Sequence, residues 1–501
     1  MHLFRSLLLL WVSSPIAFAS SFQHGVASGD PLSDRVILWT RITPDPDKSG
    51  PISYSWFLYE DQAPQTVVAS GSGSTGAERD FTVKIDATGL KPHTRYSYGF
   101  RTEASESPLG HTQTLPEEAA PLAQLRLLFA SCSNYPYGFF HGYREIAKET
   151  NVDAVLHLGD YLYEYKDDEY GDGAPLHRVP SPDHDLITLQ DYRMRHAQYK
   201  SDPDLQAAHA AHPFIVVWDD HEVANDAWMG GAENHHTPEQ GSWSLRRNAA
   251  VQAYHEWMPT RDTEGLSPLK SYKSFTFGKL ASLAILDTRI VGRDQQLKVG
   301  DPKINDSTRQ LLGPEQEAWL RDELARAQKL DTSWQIIGQQ IMLSPLKSRG
   351  RITNPDQWDG YPAARQRLFE ALEATQRKRT LILAGDIHSS WASQLTEALV
   401  KGKGNSQNVL AVELVTPGIT SPSIENQSQA QLTAKALQFE NPHFAFADLY
   451  HRGYARLDLT AESATVRWIL LDGVRNSDYH IVPGPSFRIP AEKLGLIPLQ
   501  D

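Results

Sequence analysis

The sequence is poor in cysteine, since Cys132 is the only one among its 501 residues. A lone cysteine excludes an intramolecular disulfide, so packing or bound ligands must hold the fold together. The thiol stands directly after the apolar stretch "LRLLFAS" and just before a loop. Two interpretations are open at this point: a small buried side chain that fills space, or a ligand placed at the end of a strand.

Long apolar runs are also missing, apart from one short run at the N-terminus. Residues 1–19 hold one cation, Arg5, then apolar residues from Leu7 to Val12 and the small-residue pattern Ala17-Phe18-Ala19. This layout is typical of a secretory signal peptide, and the run is too short to cross a bilayer. We therefore expect a secreted or periplasmic protein without a transmembrane segment.

Positive charge is in deficit, with 48 basic against 61 acidic residues and a formal net charge of −13. A chain this acidic repels polyanions at long range, which argues against a role in nucleic-acid binding. An anionic substrate would have to be attracted by local cations. Bound metal ions are the obvious source of such charge.

Residues 20–115 show the pattern of an all-β domain. Residues in "ISYSWFLY" (52–59) and "RYSYGF" (95–100) alternate with a period of two, which is typical of strands. The glycine-rich stretch Gly71–Gly76, "GSGSTG", predicts a loop. The segment "LKPHTRYSY" is similar to the late strand of fibronectin type III-like sandwiches, with Tyr96 at the position of their tyrosine corner. We predict such a β-sandwich here.

Residues 122–490 show a different pattern and follow a linker, "PEEAAP", at 116–121. Apolar strands such as "VDAVLHLG" and "TLILAG" alternate with amphipathic stretches such as "FHGYREIAKE". Strands that alternate with helices indicate an α/β domain built around central sheets. We expect this second domain to hold the chemistry.

Residues suited to metal binding follow four of the apolar runs. In α/β sheets, functional groups gather beyond the carboxyl ends of strands. Each residue taken singly has an ordinary alternative, because an Asp past a strand often caps a helix and a His is often structural. Together they offer carboxylates, an amide, imidazoles, a phenol and a thiol, which predicts a multinuclear metal site. The candidates are Cys132, Asp160, Tyr163, Asp219, Asp220, His221, Asn225, Asp386 and His388.

The order of these groups carries a family resemblance. "GD" at 159–160, "DDH" at 219–221 and "GDIH" at 385–388 resemble the calcineurin-like metallophosphoesterases. Within them, "WDDHE" together with the lone cysteine resembles the PhoD-type alkaline phosphatases and phosphodiesterases. The similarity runs from "HGVASGDPLSDRVILWTRITP" to "LAGDIHSSW" and covers nearly the whole mature chain.

The resemblance implies a four-layer αββα metallophosphoesterase sandwich behind the β-sandwich, with one iron(III) ion and calcium. It implies that iron is held by Cys132, Asp160, Tyr163 and His388. Asp160 would bridge to calcium, held also by Asp220 and Asp386, with Asp219 and Asn225 as further candidates. His221 would face the leaving group as donor or general acid. Arg289, in "LDTR", either contacts phosphate or forms a structural salt bridge.

The implied activity is hydrolysis of phosphomonoesters and phosphodiesters by in-line attack of a metal-bound hydroxide, in support of phosphate scavenging. The expected partners are the ester substrate and inorganic phosphate, and the expected state is a monomer. A purple-acid-type phosphatase is a second hypothesis, but it would normally show "GNH" and "GHxH". A third is a surface adhesion or carbohydrate-binding β-sandwich protein whose metals are structural.

Overall fold

The computed structural model describes residues 21–45, 50–262, 268–375, 379–401 and 408–500. The predicted signal peptide at 1–19 lies outside the described residues. Within these ranges, none of the helices combines the length and the apolar character needed to cross a bilayer.

The N-terminal part is all-β, as predicted. Lys91 donates its backbone N–H to the Tyr96 hydroxyl at 2.8 Å, which is the contact of a tyrosine corner. The core there includes Leu38 and Val83 on one side and Leu58 on the other. The strands are β1 (Val26–Gly29), β2 (Arg35–Arg41), β3 (Ile52–Glu60), β4 (Val67–Thr75), β5 (Thr82–Thr88), β6 (Arg95–Arg101) and β7 (Gly110–Gln113).

The prediction of a loop at Gly71–Gly76 is wrong, because most of this stretch lies in β4 and pairs with β3. The register places Trp56 opposite Gly71 and Tyr54 opposite Gly73. A Cβ atom at Gly71 would lie 2.6 Å from the Trp56 indole nitrogen, and one at Gly73 would lie 2.8 Å from the Tyr54 hydroxyl. The aromatic rings cover the glycines and fill the space of the missing side chains. Glycine content alone predicts a loop, because the sequence of one strand does not show which side chains the neighbouring strand places opposite it.

The rest of the chain alternates strands with helices. Its strands are β8 (Leu125–Ala130), β9 (Ala154–His157), β10 (Pro213–Val216), β11 (Lys273–Phe277), β12 (Ala281–Ile285), β13 (Trp334–Gly338), β14 (Lys347–Ser348), β15 (Arg351–Ile352), β16 (Thr380–Ala384), β17 (Ser390–Thr396), β18 (Val409–Val415), β19 (Phe444–Asp448), β20 (Arg452–Leu459), β21 (Ser463–Leu471), β22 (Ile481–Pro490) and β23 (Ile497–Pro498). Its α-helices are α1 (His141–Lys148), α2 (Leu189–Lys200), α3 (Pro203–Ala211), α4 (Trp243–Trp257), α5 (Gly313–Leu330), α6 (Pro362–Ala374), α7 (Glu397–Lys401) and α8 (Gln427–Glu440).

Two large sheets face each other, which confirms the predicted α/β sandwich. One has ten strands in the order β23-β22-β21-β20-β8-β9-β10-β1-β2-β5, and the other has seven in the order β11-β12-β13-β16-β18-β17-β19. Side chains such as Phe129 and Leu383 fill the space between the sheets. Residues of α1 to α4 cover the outer face of the first sheet, and residues of α5 and α6 cover that of the second. The layers are therefore helix, sheet, sheet, helix.

The N-terminal strands are joined to the ten-stranded sheet. β1 pairs in parallel with β10, Ser28 opposite Pro213. Asp30, just after β1, accepts hydrogen bonds from Lys273 Nζ at 2.8 Å and from Thr260 Oγ1 at 2.9 Å. The strands β3, β4, β6 and β7 form a separate four-stranded sheet. The domain boundaries at 20–115 and 122–490 stay a prediction.

Candidate metal centre

The sequence-predicted residues meet where the two large sheets end side by side. β8, β9 and β10 are parallel neighbours in the ten-stranded sheet, and β16 is parallel to both of its neighbours in the other. A bridge between Ser131 and Gly418 joins the chain just past β8 to the chain past β18. The carboxyl ends of β8, β9, β10 and β16 therefore bring their following residues together.

The backbone turns sharply at these positions. Cys132, Asp160, Asp386 and His388 all have positive φ, at 62°, 54°, 65° and 52°. Left-handed backbone in residues other than glycine costs of order 1–3 kcal/mol each and is concentrated at functional sites. Gly159, at φ 105°, permits the segment after β9 to approach the segment after β10 closely. A Cβ atom at this position would lie only 2.4 Å from Asp219 Cβ. None of these residues begins a described helix, so the helix-cap alternative for Asp160 and Asp386 does not apply.

One group of donors contains the thiol. Cys132, Asp160 and His388 each offer a ligand atom within 4.8 Å of those of the other two. The Tyr163 hydroxyl donates to Asp160 Oδ2 at 3.0 Å and lies 3.1 Å from His388 Nε2. Ser421 Oγ donates to the same hydroxyl at 2.6 Å. A thiol, a phenol, an imidazole and a carboxylate thus converge.

Two further donor groups lie beside the first. Asp219, Asp220 and Asp386 form one of them, and Asp160, Asp220 and His221 form the other, each with ligand atoms within 4.8 Å of one another. Asp160 belongs to two groups, which is the arrangement that a bridging carboxylate requires. The Asn225 side chain donates instead to Glu233 Oε2 at 3.3 Å. The assignment of Asp219 and Asn225 as ligands stays a prediction.

The nearby Arg289 guanidinium does not fully offset the effect of burial on the carboxyls of Asp219 and Asp386. Burial, together with Asp160 and Asp220, raises the pKa of Asp219 well above its ordinary value, although Arg289 opposes the shift. Burial raises the pKa of Asp386 to about 7. Asp160 Oδ1 and Asp219 Oδ2 are buried without any hydrogen-bond partner. Unpaired buried carboxylate oxygens are costly unless they bind a cation, so the residues present fit a metal ion.

The thiol and the phenol are also held neutral by the chain itself. Burial raises the pKa of Cys132 well above its ordinary value, and Asp160 adds to the effect. The same two causes raise the pKa of Tyr163. A bound metal ion deprotonates a coordinating thiol outright. The pKa of Cys132 is raised despite its contact with Ser131, so a bound cation would be needed to favour the thiolate.

Arg289 is fully buried among the carboxylates. Its guanidinium donates to Asp219, to Asp356 Oδ2 at 2.5 Å and to Asp386 Oδ1 at 2.6 Å. Nη2 also lies 3.6 Å from Asp220 Oδ1. The residue thus forms the buried salt bridges of the structural alternative, and it orients two of the candidate ligands. A contact between Arg289 and phosphate stays a prediction.

His221 is held by a glutamate that sequence reasoning missed. Its Nδ1 lies 2.8 Å from Glu164 Oε2, and the other Glu164 oxygen accepts the Asn225 backbone N–H at 2.6 Å. Burial lowers the pKa of His221, but the carboxylates of Glu164 and Asp220 outweigh it and raise this pKa well above its ordinary value. The surroundings favour a protonated imidazole, the state that a proton donor requires.

Glu222 is a second missed residue, although it ends the motif "WDDHE". Its carboxylate accepts the backbone N–H groups of Asp160 at 3.1 Å, Tyr161 at 2.6 Å and Asp219 at 2.8 Å. These bonds fix the turns after β9 and β10, on which candidate ligands stand. Burial raises the pKa of Glu222 to about 8, with a further contribution from Asp160. Glu222 is therefore a positioning residue.

We expect Glu222→Ala to lower the free energy of unfolding by about 3–5 kcal/mol, because it leaves three buried N–H groups without an acceptor. Urea unfolding measures the change. Glu370→Ala, on the exposed face of α6, is the matched control and should stay within about 0.5 kcal/mol of the parent. A Glu222→Ala protein as stable as that control would contradict this role.

The loop between β9 and α2 also reaches the centre. Tyr170 in this loop places its hydroxyl 3.2 Å from His388 Nδ1, and its ring centroid lies 5.6 Å from that of Tyr163. The His388 Nδ1 is also 3.1 Å from the Pro422 carbonyl oxygen. No pattern in the sequence signals Tyr170 or Pro422, because both come from segments without regular structure.

Comparisons with known proteins agree with this geometry. The family model described as PhoD-like phosphatase matches residues 127–468, and that of the PhoD-like phosphatase N-terminal domain matches residues 13–116. Alkaline phosphatase D of Bacillus subtilis strain 168 is 38% identical over 480 residues, which are 92% of this chain and 78% of that protein. A solved structure described as that of PhoD superposes with a TM-score of 0.87 at 36% identity, covering 97% of this chain and 94% of the other.

The sandwich fold and these comparisons define a phosphoesterase, an enzyme that hydrolyses phosphoric ester bonds. More specifically, the chain belongs to the PhoD-like phosphatase family. Membership confirms the resemblance drawn from the sequence. It also sets aside the adhesion or carbohydrate-binding hypothesis, since that hypothesis required a protein without catalysis. The family implies dependence on metal, and the chain contains candidate metal-binding groups.

Proposed function

We propose that this protein is a secreted, metal-dependent alkaline phosphatase and phosphodiesterase that hydrolyses phosphomonoesters and phosphodiesters. The observation that carries the proposal is the meeting of thiol, phenol, imidazole and carboxylates at the shared end of two sheets, with Asp160 common to two donor groups. Secretion rests on the signal-peptide pattern at 1–19.

Iron(III) is the proposed ion for the first donor group. Thiolate and phenolate are strong anionic donors, and Cys132, Tyr163 and His388 lie together on that side. Calcium is proposed for the group of Asp219, Asp220 and Asp386, because Asp220 and Asp386 offer only carboxylate oxygens, the donors that hard divalent cations prefer. Asp160, which shares one donor group with Cys132 and another with Asp220, would be a ligand of both ions. When bound, the two ions would supply an activated water and neutralise charge on the phosphoryl group.

The chain's own residues supply orientation and a proton. His221 is held at Nδ1 by Glu164, and one of its ring nitrogens lies within 4.8 Å of ligand atoms of Asp160 and Asp220, so we assign it the donation of a proton to the leaving-group oxygen. Arg289 fixes the carboxylates of Asp219 and Asp386 through buried hydrogen bonds. Inorganic phosphate is the product that this chemistry releases from a monoester.

Calcium dependence tests the assignment of calcium to the group of Asp219, Asp220 and Asp386. We expect a chelator to remove hydrolysis of a chromogenic phosphodiester while iron stays bound, because thiolate and phenolate hold iron more strongly than carboxylates hold calcium. Added calcium should restore activity better than zinc. Metal content by mass spectrometry and initial rates are measured on the same samples. Restoration by zinc alone would contradict the assignment.

We also propose that residues 20–115 carry no group of the centre, since every candidate ligand follows residue 130. Deletion of these residues removes β1 and exposes the backbone of β10, so we expect lower solubility and stability. A soluble chain that begins at Pro116 should still bind metal, which equilibrium dialysis measures. Loss of metal from such a soluble, folded chain would overturn this division.

A further inference from the structure

The outer face of α8 exposes two large apolar side chains. Leu432 is 70% exposed and Phe439 is 92% exposed, and they are seven residues apart and thus on the same side of the helix. The opposite side packs inward through Ala430 and Ala434. A helix of a globular protein normally turns its apolar residues to the core, so two large apolar side chains on one outer side offer a surface that a partner can cover.

A basic hairpin is fixed beside the end of this helix. Lys347, Arg349 and Arg351 lie on β14, the turn and β15, and all three are exposed. Glu440 at the end of α8 accepts the backbone N–H groups of Arg349 at 2.8 Å and Gly350 at 2.5 Å. The hairpin thus stands next to Phe439 in a fixed position.

These cations are not neutralised by the protein. Lys347, Arg349, Arg351 and the exposed Lys435 of α8 form no ion pair with a carboxylate in the part of the chain that the structure describes. The carboxylate of Glu440 bonds to the hairpin backbone and, as a single charge, leaves this group of four cations net positive. In a chain with a net charge of −13, such a group of free cations is a local exception. Such a group of cations attracts an anionic partner.

We propose that this surface, the α8 face, docks on an anionic lipid bilayer. The α8 face consists of Leu432, Lys435, Phe439, Lys347, Arg349 and Arg351. Exposed leucine and phenylalanine enter the boundary between headgroups and acyl chains, while lysine and arginine pair with lipid phosphates. A second copy of this chain fits less well, because a two-fold contact would bring the same unpaired cations face to face.

Docking through α8 also has a consequence for the metal centre. The helix begins five residues after Pro422, whose carbonyl oxygen contacts His388, and six residues after Ser421, which donates to Tyr163. A protein bound through α8 holds this loop of the centre near the lipid surface. The proposal itself does not depend on the reaction.

Co-sedimentation with vesicles tests the proposal. We expect the purified protein to bind vesicles of phosphatidylcholine mixed with phosphatidylglycerol and not vesicles of phosphatidylcholine alone. The double variant Leu432→Gln/Phe439→Gln should raise the apparent dissociation constant roughly tenfold or more. The matched control is Leu245→Gln on α4, where the leucine is 71% exposed, and it should bind like the parent.

Charge is tested separately. Arg349→Glu/Arg351→Glu should weaken binding and reduce its dependence on salt, whereas Arg321→Glu on the exposed face of α5 should not. Thermal unfolding and hydrolysis of a soluble chromogenic ester should be unchanged in all variants, which separates this proposal from the proposed function. Failure of the parent to bind the anionic vesicles would overturn it. So would a dimer in sedimentation velocity that Phe439→Gln dissociates, in the absence of vesicle binding.

Discussion

Replacing Cys132 with serine is expected to remove most of the bound iron, bleach a visible absorption band and lower phosphodiesterase activity by orders of magnitude. Thiolate and phenolate bound to iron(III) transfer charge to the metal in visible light, so the parent protein should be coloured. The buried thiol lies with Asp160 and His388 at the end of its strand, and burial together with Asp160 raises its pKa well above the ordinary value, so a bound cation would be needed to favour the thiolate. Serine keeps the size of the side chain but loses the soft, easily deprotonated donor.

The measurements are the visible spectrum, the iron content and the rate with a chromogenic phosphodiester. Tyr163→Phe should shift the band on its own, because it removes the phenolate and keeps the thiolate. The matched control is Tyr143→Phe, which alters a fully buried tyrosine that bonds to Ser133 and His157 outside the donor groups. It should leave the spectrum unchanged.

A space-filling role for Cys132 predicts a different result. The Cys132→Ser protein would then lose about 1 kcal/mol of unfolding free energy and keep its activity. A colourless parent together with a fully active variant would establish that role and remove the iron assignment.

Replacing His221 with alanine is expected to lower turnover by roughly 10²–10⁴-fold while metal content falls little. The imidazole is oriented by Glu164, and nearby carboxylates favour its protonated form. Proton donation matters most for poor leaving groups. The loss should therefore be smaller for a nitrophenyl ester than for an alkyl ester, which paired initial-rate measurements show.

The matched control is His236→Ala, which changes an exposed histidine in the connection between β10 and α4. It should leave turnover unchanged. Glu164→Gln should reduce turnover less than His221→Ala, since it weakens the orientation and charge of the imidazole but keeps the ring. A ring nitrogen of His221 lies within 4.8 Å of ligand atoms of Asp160 and Asp220, so a role as ligand is the rival explanation. Metal loss in proportion to activity would favour that rival.

Much of the architecture was predictable because it depends on local patterns. The period of two predicted β3 and β6 as strands, although their burial does not alternate. The apolar runs predicted β8, β9, β10 and β16, which are buried almost throughout. Candidate ligands were found because strands of an α/β sheet end at a common edge, so residues far apart in sequence meet there. The lone cysteine stood out by composition alone.

The tertiary structure decided the rest, for reasons that no local pattern contains. β4 is a strand because the rings of Trp56 and Tyr54 cover its glycines from the neighbouring strand. β1 joins the ten-stranded sheet because β10, far along the chain, offers it a free edge.

The arrangement of the centre was decided in the same way. Glu222 and Glu164 act on the backbone and on a ring nitrogen across distances that only folding closes, and a carboxylate in the sequence does not reveal its partner. Arg289 lies among three aspartates from three separate segments, so its charge balance exists only in the folded chain. The sequence by itself determined which donors are present, and the packing of two sheets decided which of them lie together.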